Sequence, residues 1–173
     1  IPSMKKYQTD GGPGIADIAE AIMRFSAEPL SDLELFRKLA LFNYFVGNCD
    51  AHAKNFSLVH HQGGWRLAPA YDLISTTIYD GTFGAGLSRD MGMAMGHHSN
   101  IDRITPDDLD LFAKEVKAQP KRIRAVAAEL ACSLPPALEA AASDLHERGF
   151  ATAHTVGSRI TEGVKRRIEA LGL

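Results

Sequence analysis

Cys49 and Cys132 are the only thiols in 173 residues, and they stand far apart in unlike contexts. That excludes a disulfide framework and any zinc pattern built on paired cysteines, and it fits a reducing cytoplasm. No apolar run reaches membrane-spanning length, and no signal peptide opens the chain. Net charge is −2, so bulk electrostatics make no case for a nucleic-acid binder. The one basic run, Lys165-Arg166-Arg167, reads as a solvated face near the end of the last helix, where cations are favoured. Also missing are a G-x-G-x-x-G loop after a strand and a strand-borne lysine of the V-A-I-K kind, two devices that grip ATP phosphates. No repeat or low-complexity segment occurs. A hydrophobic share of 45% and a charged share of 23% are those of one ordinary domain with its own core.

What the chain does have is one dense stretch, Gly47 to Tyr79, where a polar loop leads into two short apolar-rich runs and a second acidic loop. Phe56–His60 and Trp65–Pro69 flank Gln62-Gly63-Gly64, so the spacing predicts a β-hairpin folding about Gly63 or Gly64. Asn55 lies just before the first run and Asp72 just after the second, nearly equidistant from the turn. Pairing therefore brings both to the open end, where an amide oxygen and a carboxylate make a hard-oxygen site suited to magnesium. Asp50 stands on the entering loop, within reach of whatever the metal holds. Taken singly, each of these residues is also an ordinary turn former. As an ordered set, Asp50-x-x-x-x-Asn55 with an aspartate after a hairpin is the protein-kinase arrangement. There the first aspartate orients the acceptor hydroxyl, and the other two residues hold magnesium on ATP.

Wider wording narrows the match. NCDAHAKNFS (Asn48 to Ser57), GGWRLAPAYDLIS (Gly63 to Ser75), KYQTDGGPGIADI (Lys6 to Ile18) and MAMG (Met93 to Gly96) resemble the HipA-like serine/threonine kinases of bacterial toxin–antitoxin systems. The resemblance implies that Asp50 is the catalytic base and that Asn55 and Asp72 are the magnesium and nucleotide ligands. His52 stands two residues after the base, where ordinary protein kinases carry lysine; the lysine here is Lys54. Either offers positive charge to the transferring phosphoryl group, although Lys54 also suits a solvated surface. Asp72 is followed by Leu73-Ile74 rather than Phe-Gly, so phenylalanine-dependent switching is not expected. The implied fold is the C-terminal, mainly α lobe of a two-lobed kinase with a small β-hairpin, residues 1–173 forming one such domain. The N-terminal ATP-clamping lobe would lie outside it, and Ile1-Pro2-Ser3 in place of an initiating methionine agrees with a fragment or processed chain.

In chain order, Ile1 to Asp10 reads as an extended lead-in and Gly11-Gly12-Pro13-Gly14 as a tight turn. A helix follows over Ile15–Phe25, with Ile15, Ile18, Ala19, Ile22 and Phe25 on one side. Glu28-Pro29-Leu30 breaks it, and Ser31-x-x-Glu34 reads as a capping box opening the next helix. That helix carries Leu35, Leu39, Phe42 and Val46 on a stripe widened by Leu41 and Phe45, which implies deep burial, and Gly47 stops it. Ile78 to Gly96 is glycine-rich and loop-like, in the position of an activation segment, with Met91, Met93 and Met95 alternating as in a short strand or packed turn. The pairs His60-His61 and His97-His98 read as structural or solvent-facing, because adjacent strand residues point to opposite faces. Helices follow from Thr105-Pro106-x-Asp108, from Pro120, and from Ala137 to Arg148 after a break at Pro135-Pro136. The last shows a seam of Val156, Ile160, Val164, Ile168 and Leu171.

The resemblance implies ATP and Mg2+ as cofactors, transfer of the γ-phosphoryl to a protein hydroxyl, and glutamyl-tRNA synthetase as the acceptor. It also implies a HipB-like helix-turn-helix antitoxin, contact with operator DNA only through that antitoxin, no membrane, and a bacterial cytoplasm. Without the clamp residues, the 173-residue chain alone is expected to transfer no phosphate. Two other readings stand beside this one: a metal-dependent phosphohydrolase using Asp50, His52, His60 and Asp72 with manganese or zinc, and a non-catalytic partner-binding lobe.

Overall fold

Helix α1, Ile15–Phe25, starts where the glycine-rich turn ends, and Asp17 closes its first turn by accepting the Gly14 N–H at 2.8 Å. The computed structural model describes residues 5–79 and 87–173. Within the lead-in, Gln8–Asp10 form a 3₁₀ turn rather than an extended run, and Gly11 ends it in the left-handed conformation. Ile15, Ile18, Ala19 and Ile22 are buried as the periodicity requires. Phe25 is not: it is 53% exposed, with the Arg24 guanidinium over its ring.

Helix α2, Pro29–Val46, begins two residues earlier than the expected capping box. Pro29 opens the helix instead of breaking one, because a fixed φ and a missing N–H suit the first turn. Ser31 and Glu34 therefore lie inside the helix, and Glu34 accepts from Arg37 and Arg122. The centre of the buried face is Leu33, Phe36, Ala40, Leu41, Tyr44 and Phe45, whereas Leu35 is exposed. Asp32 is only 2% exposed and accepts from the Leu67 N–H, the Ser26 hydroxyl and the Arg66 guanidinium, which fastens this helix to the hairpin. Gly47 terminates α2 at φ 78°. A Cβ there would fall 2.0 Å from Thr77 Oγ1, so glycine is demanded by space as well as by conformation.

Strands β1, Leu58–His61, and β2, Gly64–Leu67, pair antiparallel, with Leu58 opposite Leu67 and His61 opposite Gly64. The turn is thus Gln62-Gly63, and the register places Asn55 and Asp72 beyond the open end, as the sequence predicts. A second hairpin joins β3, Asp90–Met95, to β4, His98–Asn100, with Met91, Met93 and Met95 all buried. Residues 80–86 of the glycine-rich stretch lie outside the described residues. The Gly92 N–H donates to the Cys49 carbonyl at 2.8 Å, and a Cβ on Gly92 would lie 2.8 Å from the Ala51 carbonyl, so β3 lies against the loop that follows α2.

Helix α3, Pro106–Glu115, starts at Thr105-Pro106 as expected, and Asp108 closes its first turn by accepting the Thr105 N–H at 2.8 Å. Helix α4, Pro120–Glu147, continues through Pro135-Pro136, where the sequence predicts a break. Each proline removes one i→i−4 hydrogen bond, but the packing of α4 along helix α5, Ala153–Ala170, holds the flanking turns together. On α5, Val164 and Leu171 are buried, Ile160 and Ile168 partly, and Val156 is exposed. Arg167 corrects the solvated-face expectation. Lys165 and Arg166 are exposed, but Arg167 is buried and points into the core. The fold is mainly α: five helices and two small antiparallel hairpins among the described residues, around a core centred on α2.

Candidate active site

The loop after Gly47 is built on backbone hydrogen bonds to the segment that follows Asp72. The Gly47 carbonyl accepts from the N–H groups of Thr76 and Thr77, and the Thr76 hydroxyl accepts from the Cys49 N–H at 2.9 Å. Buried Asn48 joins the two chains more closely. Its amide nitrogen donates to the Asp72 carbonyl at 3.1 Å and to Asn43 Oδ1 at 2.9 Å, while its oxygen accepts the Asp50 N–H at 3.1 Å. Asp50 and Asp72, 22 positions apart in sequence, are therefore both bonded to one side chain.

Ala53–Asn55 make one 3₁₀ turn leading into the hairpin. Asn55 Oδ1 accepts the His52 N–H at 2.9 Å, which fixes the orientation of the amide and turns its nitrogen toward Asp72 Oδ2 at 2.5 Å. The convergence at the open end is real, but the amide presents N–H rather than oxygen to the carboxylate. Asp72 adopts φ 57°, a left-handed conformation that aspartate tolerates better than most side chains. Next to it, the Tyr71 hydroxyl donates to the Lys54 carbonyl at 2.6 Å and meets Ser57 Oγ at 2.7 Å.

Asp50 itself is half-buried, and its Oδ1 is crowded. The Tyr7 hydroxyl donates to it at 2.5 Å, Lys6 Nζ lies at 3.3 Å and His52 Nε2 at 4.0 Å. Burial opposes ionisation of this carboxyl, but the hydrogen bonds from Tyr7 and Lys6 outweigh it and hold its pKa below the ordinary aspartate range. His52 is 7% exposed, its ring edge-on to Tyr7, and its Nδ1 is buried without a hydrogen-bond partner among the described residues. Lys54 is half-exposed at the 3₁₀ turn. Cys49 is buried, and burial raises its thiol pKa, the opposite of what a nucleophile needs.

Among the described residues, open hollows adjoin this site. One, of about 620 Å³, is lined by Tyr7, Cys49, Asp50, Ile74, Thr76 and Met91, among others. Another, of about 240 Å³ and apolar, lies between Ile18 and Ile22 of α1 and Phe56, Leu58 and Leu67 of the hairpin.

A hard cation finds a sparse but suitable donor set here. Asp72 offers an exposed carboxylate, and Asn55, whose nitrogen now faces Asp72, would bring its Oδ1 to the same ion by turning its amide over and releasing the His52 N–H. Magnesium is held in this sparse way when phosphate oxygens complete its shell. By contrast, Asp50, His52, His60 and Asp72 are not gathered: no three His, Cys, Asp or Glu side chains among the described residues could hold one ion. His60 lies on β1 opposite Trp65, its ring packed edge-on against the indole. Sequence reasoning missed Lys6, Tyr7 and Asn48 as site residues. The first two arrive from a segment more than forty positions away, and nothing local in the sequence marks them as donors.

The model of the HipA-like C-terminal domain matches residues 1–138. The provisionally named kinase Y4mE of Sinorhizobium fredii is 39% identical over 115 residues, 66% of this chain and 26% of that protein. The serine/threonine-protein kinase toxin HipA of Shewanella oneidensis is 35% identical over 86 residues, 44% of this chain and 20% of that protein. The matches thus span about a quarter or less of these two relatives. Among solved structures, a chain of the Shewanella oneidensis complex of HipA, HipB and operator DNA superposes with a TM-score of 0.83 at 20% identity, over 100% of this chain and 42% of that one. This last likeness is one of fold.

Proposed function

The chain belongs to the HipA-like C-terminal domain family, and on that premise we propose that it is the catalytic lobe of a serine/threonine protein kinase that transfers the γ-phosphoryl of ATP to a protein hydroxyl. One observation carries the reading: Asn55 and Asp72 meet at the open end of a hairpin while Asn48 bonds both to Asp50 and to the Asp72 carbonyl. That is the relation the kinase reaction needs between its base and its magnesium ligands.

In this reading Asp50, kept ionised by Tyr7 and Lys6, accepts a hydrogen bond from the acceptor hydroxyl, orients its oxygen toward the γ-phosphorus and takes its proton. Lys54 lends positive charge beside the transferring group, and buried His52 packs its ring against Tyr7 next to the base. Asp72 by its carboxylate and Asn55 by its amide oxygen would hold Mg2+, which when bound neutralises charge on the phosphate oxygens. Catalysis is then mostly positioning and charge neutralisation. The apolar hollow between α1 and the hairpin is the wall on which the nucleotide base would rest. Its Ile18, Ile22 and Leu67 offer contact area without hydrogen-bond demands.

For the whole protein we propose a toxin restrained by a HipB-like helix-turn-helix antitoxin, which alone would contact operator DNA, and glutamyl-tRNA synthetase as the acceptor. The named HipA relative supports the toxin reading and the fold likeness to a HipA–HipB–DNA complex supports the antitoxin; the acceptor follows from the family resemblance alone. A bacterial cytoplasmic site of action goes with it. No helix among the described residues is long and apolar enough to cross a membrane.

The test is phosphotransfer by the full-length natural protein with ATP, magnesium and glutamyl-tRNA synthetase, read by mass spectrometry, with Asp50→Asn, Asp72→Asn and the 173-residue chain in parallel. Phosphate gained with the natural protein and lost in both variants supports the reading. Phosphate on the toxin alone removes the synthetase as acceptor. No transfer from a folded natural protein would make this a partner-binding lobe with a kinase-like face.

A further inference from the structure

Asp50 has two carboxylate oxygens in unequal surroundings. Oδ1 takes the Tyr7 hydroxyl and the Lys6 ammonium, with His52 Nε2 beyond them, whereas no hydrogen bond to Oδ2 forms among the described residues. Tyr7 is itself held firmly. Its carbonyl accepts the N–H groups of Asp10 and Gly12, and its ring meets the edge of buried His52. One residue farther on, Gln8 Oε1 accepts the Ala94 N–H of β3 at 2.8 Å, so the segment is clamped to the strand that backs the loop.

We propose that Tyr7 is a positioning residue for the base: by donating to Oδ1 it fixes the carboxylate rotation and leaves Oδ2 to receive the acceptor hydroxyl from the 620 Å³ hollow that Tyr7 and Asp50 line together. The proposal rests on the reading of Asp50 as the base. In the reaction, the acceptor oxygen forms a bond to the γ-phosphorus as the bond to the ADP oxygen breaks and its electron pair leaves with ADP. The hydroxyl proton passes to Oδ2. A carboxylate free to rotate would offer either oxygen, and the near-attack geometry would be populated less often.

Lys6 sits on the same oxygen but at 3.3 Å and part-exposed, so it supplies charge rather than orientation. The titratable groups facing the Asp50 carboxyl are Lys6 and Tyr7 from the lead-in segment and His52 from its own loop. Cys49 and Asp90 line the same hollow. Loss of the Tyr7 donor leaves the burial that disfavours charge and removes a bond that favours it, so the Asp50 pKa rises.

The experiment uses the full-length protein and its Tyr7→Phe variant, which keeps the ring against His52 and removes only the hydroxyl. Expected are a fall in kcat of about tenfold to a hundredfold, an unchanged KM for ATP, and an acid limb of the kcat/KM profile moved to higher pH. A role in packing alone would lower the melting temperature and leave the acid limb in place, which would overturn the proposal. A second readout needs no turnover: the Asp50 carboxyl is titrated by 13C NMR, its signal assigned by Asp50→Asn, in the natural protein and in Tyr7→Phe. An upward move in the variant supports the proposal, and an unmoved titration sinks it. If the titration moves while the natural protein transfers no phosphate, the kinase reading fails and the bond between Tyr7 and Asp50 stands as the control of that carboxylate.

Discussion

Arg167, six residues from the end of the chain, donates from Nη2 to Thr77 Oγ1 at 2.9 Å, across 90 positions of sequence. Its Nη1 donates to the Phe45 carbonyl at 3.3 Å, two residues before α2 ends at Gly47. A buried guanidinium on the last helix thus underpins both chains that carry the candidate site. It lies beyond the residues matched by the family model.

Arg167→Ala should therefore destabilise the whole lobe, by about 2–3 kcal/mol, since it strands a buried carbonyl and opens a cavity. Arg167→Lys should recover less than half, because one ammonium cannot serve both acceptors. Urea unfolding followed by circular dichroism measures both. An Arg167→Ala midpoint equal to that of the natural protein would show the contact to be idle.

Asn48→Leu keeps the branched outline, with bulkier methyl ends, and removes three hydrogen bonds, leaving the Asp50 N–H, the Asp72 carbonyl and Asn43 Oδ1 unpaired. The expected loss of stability is about 2–4 kcal/mol. Phosphate transfer should drop even at temperatures where the variant is fully folded, because the two chains lose their common anchor. Transfer assays on folded protein at low temperature separate the two effects.

Asp108 accepts the Thr105 N–H and hydroxyl, the His97 N–H and the His98 ring, and these bonds overcome a burial that would raise its pKa, bringing it down to about 2. A depressed folded-state value means stability that is complete above the ordinary aspartate range and lost as pH falls from about 4 toward 2. The amount is about 2 kcal/mol. In Asp108→Asn the melting temperature should be lower at pH 7, and its decline between pH 4 and pH 2 shallower than in the natural protein. Parallel declines would refute the assignment.

Pro135 and Pro136 lie inside α4, where each leaves a carbonyl one turn earlier without its helical N–H. Pro136→Ala should restore that bond and raise stability by about 1 kcal/mol, net of the extra freedom gained by the unfolded chain. A lower melting temperature would mean that a bend set by the prolines is required where α4 meets α5.

The meeting of Asn55 and Asp72 was legible in sequence because a hairpin converts spacing into proximity: once the turn is found, the register does the rest. The helix face of α1 and the start of α3 at Thr105-Pro106 were legible for a similar reason, as each is a local pattern. What escaped was either ambiguous locally or long-range. Pro29 and Pro135 are both breakers by composition, yet one starts a helix and the other is carried within one by packing. Lys165-Arg166-Arg167 looks uniformly solvated, although the helix turns its third member inward. Tyr7 and Asn48 lie in family-like wording that does not state their roles, and only the assembled lobe points their polar atoms at Asp50.

Gly92 in β3 has no room for a side chain because the loop lies directly on it, and its N–H bonds to that loop. The loop is thus closed between a lead-in that precedes it by some forty residues and a strand that follows it by about the same distance. Both closures carry a loop-entropy penalty that only the finished core offsets. The acceptor geometry at Asp50 should accordingly form late in folding, as one cooperative event with the docking of β3. A nascent or partly unfolded chain would then hold helices without the assembled Asp50 site, so that site would appear all at once or not at all.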